Sequence, residues 1–109
     1  MTTITLFSKE GGLVGFEARG HSGFALSGSD IVCSAVSALT IAAVNGLTEL
    51  LHLPTAVEMT DGHLYAMLDK GVAGDDLEKA RIILDTMALG LRSIAETYED
   101  SLKIIERKV

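Results

Sequence analysis

Polar and apolar residues alternate from Thr3 to Ser8, where Ile4 and Leu6 stand against polar neighbours. A period of two predicts a strand with one buried face. Gly11-Gly12 is a turn signal, and Leu13, Val14, Phe16 and Ala18 form a second strand, so the two strands make a hairpin. From Gly20 to Asp30 the chain is rich in small residues and reads as a loop, with Ser29 or Asp30 as the N-cap of a helix. That helix, from about Asp30 to Leu51, is apolar on most sides and is predicted to be sandwiched. Its alanines, Ala35, Ala38, Ala42 and Ala43, permit close packing, and Pro54 ends it.

The pattern then returns to short apolar runs. Ala56 to Met59 and His63 to Leu68 flank Asp61-Gly62, a strong hairpin signal. Gly71 and Gly74 mark a loop, and Asp75 or Asp76 caps a second helix. Leu77, Ala80, Leu84, Met87, Ala88, Leu91, Ile94 and Ala95 recur on one face of it, opposite Glu78, Lys79, Arg81 and Asp85. The helix ends near Tyr98-Glu99-Asp100, and Leu102 and Ile104 around Lys103 favour a last strand. The order ββαββα(β) is an α+β fold in two layers, a mainly antiparallel sheet with two packed helices. Residues 1–109 form one domain in this reading, without repeat or linker.

Composition narrows the function. Hydrophobic residues make up 48% of the 109 and charged ones 22%, a globular balance. The net charge of −6 argues against direct nucleic-acid binding, which needs a basic face, and suits a basic partner. One cysteine excludes an intrachain disulfide and fits a reducing cytoplasm. Met1 to Lys9 has no basic leader, and Ile31 to Leu47 carries Ser34, Ser37, Thr40 and Asn45 without basic or aromatic flanks. No membrane partner is expected, and that segment reads as a core helix.

The reactive inventory is short: Cys33, His21, His52 and His63. There is no phosphate-binding glycine fingerprint, and neither the single cysteine nor the histidine spacing suggests a metal site; no cofactor is expected. His21 follows the second strand, and Cys33 falls at the start of the first helix, twelve residues on. Strand end and helix start can share one rim. Free amides and the dipole at a helix start favour a thiolate and can hold an oxyanion. An imidazole nearby would do the same for the thiolate and could move a proton. Two other readings remain open from the residues alone. Cys33 could be a small buried hydrophobe in a non-catalytic, ribosome-associated binding or assembly module, or a redox-sensing thiol that needs an external partner.

Gly20-His21, followed by Gly28-Ser29-Asp30-Ile31-Val32-Cys33-Ser34-Ala35-Val36-Ser37, resembles the ribosomal-processing cysteine protease family, Prp. That family's pattern is a G-H pair, a short glycine-containing loop, then G-x-D-I-V-C-x-A-V-S. Ser22 and Ser34 depart from it, where alanine is common, as small-for-small changes. The resemblance implies a cysteine endopeptidase that removes an N-terminal extension from ribosomal protein twenty-seven of the bacterial large subunit, cutting after an aromatic residue. It implies Cys33 as nucleophile, His21 as base and acid, and Asp30 and Ser37 as supporting residues. It also implies a homodimer and a mobile substrate loop, here Ser22, Gly23, Phe24, Gly28 and Ser29 among its members. It implies a small apolar pocket beside the thiol, whose lining the sequence does not name; Phe24 and Leu26 are loop candidates only.

Overall fold

The computed structural model describes residues 1–20 and 27–109, with the side-chain surroundings of residues 27–30 left aside. Strands β1 (Thr2–Lys9) and β2 (Gly12–Arg19) open the chain. Helix α1 (Ser27–Asn45) comes next and passes into a π-helical turn, Gly46–Leu50. A second hairpin, β3 (Thr55–Thr60) and β4 (His63–Leu68), precedes helix α2 (Gly74–Thr97) and strand β5 (Leu102–Lys108). The expected element order therefore stands, the last strand included.

The five strands form one sheet in the order β3-β4-β2-β1-β5. Three neighbouring pairs are antiparallel, and β5 lies parallel to β1, with Ile104 opposite Ile4. Glu10 and Gly11, both at positive φ, make the first hairpin turn, so Gly12 belongs to β2 rather than to the turn. Because β2 and β3 run parallel, the connection through α1 is a crossover past β4; likewise α2 crosses from β4 to β5 past β2 and β1. The helices thus lie side by side on one face of the sheet. They meet where Leu39 approaches Gly90 and Ile83 approaches Gly46, the glycines leaving room for those side chains.

Period two puts Ile4, Leu6, Phe16, Ala18, Leu64 and Ala66 on the helix-facing side, where all are buried. From above, α1 contributes Val32, Val36, Ala43 and Val44, and α2 contributes Ala80, Leu84, Met87, Ala88 and Leu91. Burying each of the larger ones, the valines, leucines, Ile4, Phe16 and Met87, stabilises by roughly 1.5–3 kcal/mol. Thr40 is the polar residue within the α1 stripe. Its hydroxyl donates to Val36 O at 2.8 Å, so its burial costs little.

Three expectations are corrected. First, α1 begins at Ser27, so Gly28 and Ser29 lie within the helix and neither Ser29 nor Asp30 is its N-cap. Serine and aspartate are tolerated in a first turn because its amides have no intrahelical acceptor. Second, α2 starts at Gly74 after Ala73, and no side chain caps it. Asp75 and Asp76 sit in its first turn, where their charge favours the positive helix end. Third, α1 is not sandwiched: Ile31 is 58% and Ile41 is 40% exposed, because helices cover only one side of the sheet and α2 only one flank of α1. Ile31–Leu50 is long and apolar enough to cross a membrane by length and composition, yet its sheet-facing residues belong to the core.

Candidate active site

The first link to the site is the end of β2. Gly20 has φ 89°, a conformation that favours glycine, and its N–H donates to Gly62 O at 3.0 Å in the β3–β4 turn. A Cβ on Gly20 would stand 2.5 Å from Met1 O. The chain is therefore pinned between the start of β1 and the β3–β4 turn just before His21. His21, Ser22, Gly23, Phe24 and Leu26 lie outside the described residues, so the expected histidine and most of the expected substrate loop carry no geometry here.

Cys33 is described. It is a free, half-buried cysteine between the core residues Val32 and Val36. It occupies the second turn of α1, seven residues into a helix that starts at Ser27, not the first turn as the later expected start implied. The difference matters chemically. In an α-helix of this length the Cys33 amide is committed to the carbonyl four residues back. The free amides are those of Ser27 to Asp30, one turn nearer the helix tip. An oxyanion formed at Cys33 would therefore draw on donors above the thiol rather than on the thiol's own N–H.

Helical spacing sets which residues accompany the thiol. Val32, Val36, Thr40 and Leu47 face the sheet, and Leu39 faces α2. Cys33, Ser37 and Ile41, at i, i+4 and i+8, fall on the flank away from α2, toward β3. Ser37 is half-buried there, one turn below Cys33. Asp30 is in the first turn of α1, the end where a carboxylate suits the dipole.

The structure adds a polar cluster that sequence reasoning missed. On the sheet face without helices, Glu17 Oε2 lies 2.7 Å from His63 Nε2 and 3.1 Å from Arg19 Nη2. These bonds, that from His63 foremost, hold the Glu17 carboxyl below the usual carboxylate range, with partial burial opposing them. Period two alone puts Glu17 and Arg19 on one face. His63 joins them only through the register that sets Arg19 opposite His63. Among the described residues, no group of three or more His, Cys, Asp or Glu side chains could hold a metal ion. A cleft of about 570 Å³ lined by Lys9, Val14, Tyr65, Asp69 and Arg81 opens at the opposite rim of the sheet, away from the start of α1.

Residues 1–103 match the family model described as Cysteine protease Prp. The ribosomal processing cysteine protease Prp of Bacillus subtilis is 28% identical over 99 residues, covering 89% of this chain and 88% of that protein. Its Staphylococcus aureus counterpart is 28% identical over 107 residues, covering 95% of this chain and 97% of that protein. Among solved structures, SMU.848 from Streptococcus mutans superposes with a TM-score of 0.86 at 27% identity, covering 100% of this chain and 96% of that one. The S. aureus protease Prp with a covalently linked product peptide gives 0.81 at 25% identity, covering 98% and 100%.

Proposed function

Because the chain belongs to the cysteine protease Prp family, and is a cysteine protease, we propose that it removes the N-terminal extension of large-subunit ribosomal protein twenty-seven through His21 and Cys33. The observation that carries this reading is a half-buried thiol on the second turn of the helix that comes after His21. A thiol enclosed in the core could not meet a peptide; this one is reached from the flank of α1 that α2 leaves open.

The mechanism uses the groups available. His21 takes the Cys33 thiol proton, the sulfur attacks the scissile carbonyl carbon, and the carbonyl π electrons move to oxygen. Free amides of Ser27 to Asp30 stabilise that oxyanion. As the tetrahedral species collapses, the C–N bond breaks and His21 gives its proton to the leaving amine. His21, now neutral, takes a proton from water, whose hydroxide equivalent attacks the thioester and releases the acid and the thiol. Ser37 supports the helix turn beneath the thiol, and Asp30 steadies the helix start. Ser22, Gly23, Phe24, Gly28 and Ser29 are assigned to substrate contact in this reading.

The whole of residues 1–109 acts as one catalytic domain, cytoplasmic and homodimeric in this reading. The single thiol suits a reducing compartment. Solvent-facing Ile82 and Leu89, 67% and 68% exposed and two turns apart on α2, suit a self-association surface. The net charge of −6 suits a basic ribosomal substrate and argues against direct binding of nucleic acid. The test is incubation with ribosomal protein twenty-seven carrying its extension, then intact-mass measurement. Loss of the extension with wild type and near silence with His21→Ala are expected. A substrate left whole by the wild-type protein would overturn the proposal.

A further inference from the structure

The strands do not end level. The β2–β4 ladder runs from Arg19 opposite His63 to Gly15 opposite Met67 and stops there. Strand β2 begins at Gly12 and is paired with β1 from that residue, which stands opposite Lys9. The first hairpin therefore projects past the end of β4. Leu13 lies opposite Ser8 and Gly15 opposite Phe7, so Val14 is the extra residue of a β-bulge on the projecting part. The chain leaves β4 at Leu68 by a tight turn before α2. In it the Gly71 N–H donates to the Asp69 carboxylate at 2.8 Å and the Val72 N–H to Asp69 O at 3.1 Å. Hairpin, turn and α2 thus frame a notch, the cleft of about 570 Å³ at the rim away from the start of α1.

The notch joins apolar surface to positive charge. Val14, Met67, Val72 and Leu77 line it, and all four are only half-buried, so their apolar surface still meets water. Lys9, Lys70 and Arg81 border it, and none of the three is ion-paired among the described residues. Arg81 commits Nε and Nη2 to the carbonyls of Leu13, Lys9 and Gly12, neutral acceptors that leave its charge uncancelled. Of the carboxylates on the lining, that of Asp69 is turned to the Gly71 N–H, and Glu10 is exposed at the hairpin turn. In a chain of net charge −6, three cations around one apolar recess reverse the sign locally. Small-molecule sites have this make-up, an apolar recess of roughly 300–1,000 Å³ with a few convergent polar groups.

We propose that this notch binds a small amphipathic anion, an apolar body ending in one negatively charged group. The body lies against Val14, Met67 and Leu77. The anion meets the ammonium groups of Lys9 and Lys70, beside the fixed charge of Arg81. Removing the body from water supplies the affinity, and the cations select an anion over a neutral or positive molecule of the same shape. Lys9 and Lys70 are exposed and stand on opposite walls, one on the projecting hairpin and one on the turn after β4, so a ligand between them ties the two together. Cys33 is on another element near the opposite rim, and the site is independent of the protease reading above.

The test titrates octanoate onto the whole chain, with octanamide and octylamine as its neutral and cationic counterparts, followed by heteronuclear NMR. Saturable single-site binding of octanoate is expected, with shifts centred on Val14, Met67 and Leu77. It should be tighter than that of octanamide by about tenfold, and octylamine should be the weakest of the three. The double variant Lys9→Glu, Lys70→Glu changes exposed side chains and should erase the preference for the anion. Ala73→Trp, which places a ring in the mouth of the notch, should weaken octanoate and octanamide alike. Equal binding of octanoate and octanamide by wild type would overturn the site. So would shifts scattered away from the notch, no saturable binding, or a preference for the anion that survives in the folded double variant.

Discussion

His63 Nε2 and Glu17 Oε2 stand 2.7 Å apart and tie β4 to β2 across the helix-free face of the sheet. Arg19, two residues before His21, reaches the same carboxylate oxygen at 3.1 Å. The pair thus braces the strand end that carries the proposed catalytic histidine, from the side opposite the helices.

The acid stability of the protein should register this pair. The Glu17 carboxyl is held below its ordinary value of 4.5, first by the His63 bond and then by Arg19. With the folded-state value lowered, the unfolded chain binds the proton first as pH falls. The contribution is complete above the unfolded value and disappears as pH drops through the folded one. Glu17→Gln should cost about 1 kcal/mol near neutrality, and its deficit against wild type should shrink in acid. Urea unfolding of both proteins near neutrality and at about pH 3 measures the two gaps; equal gaps would refute the assignment.

Gly20→Ala should harm both stability and processing. The substitution forces a Cβ onto φ 89° and 2.5 Å from Met1 O. A loss of about 1–3 kcal/mol is expected, from thermal or urea unfolding. Because Gly20 leads directly into His21, kcat should fall further than the unfolded fraction accounts for. A variant that unfolds more readily yet cleaves normally when folded would separate the strand end from the chemistry.

Gly15→Ala tests the packing of the helix-free face. Phe7 and Tyr65 approach with ring centres 6.0 Å apart across β2. Gly15, opposite both Phe7 and Met67, has no space for a Cβ, which would collide with Ala66 O. The clash is with backbone, so the sheet must shift, at a cost of about 1–3 kcal/mol. Unfolding curves matching wild type would show that the strands adjust freely.

Arg81 should prove a structural cation. It donates to Lys9 O at 2.7 Å, and more weakly to the carbonyls of Leu13 and Gly12, closing the first hairpin against α2. Arg81→Ala should lower stability by about 1–3 kcal/mol, since charged hydrogen bonds are lost and carbonyls freed. Cys33 lies on another helix near the opposite rim, so kcat/KM of the folded variant should be unchanged.

The element order was legible because the chain's periods are clean: two in Ile4–Leu6 and Phe16–Ala18, helical from Leu77 to Ala95. The start of α1 was not, since Ser27-Gly28-Ser29-Asp30 has loop propensities and a first turn makes few demands on them. That error placed Cys33 one turn too close to the tip. Burial of β3 was equally hidden. Val57 and Met59 have the composition of a core strand, and only the crossover leaves them beyond α1. The Glu17–His63 bond depends on register between distant segments, which local pattern does not encode. The proposed site rests on the G-H and D-I-V-C-x-A-V-S motifs, since nothing in the period of α1 distinguishes Cys33 from a small apolar residue.

The most direct measurement is the rate at which folded Cys33→Ala removes the extension, set beside wild type and Cys33→Ser. The account predicts no cleavage by Cys33→Ala at unchanged thermal stability, and only very slow cleavage by Cys33→Ser, whose alcohol is the poorer nucleophile. Processing by Cys33→Ala at the wild-type rate would contradict it.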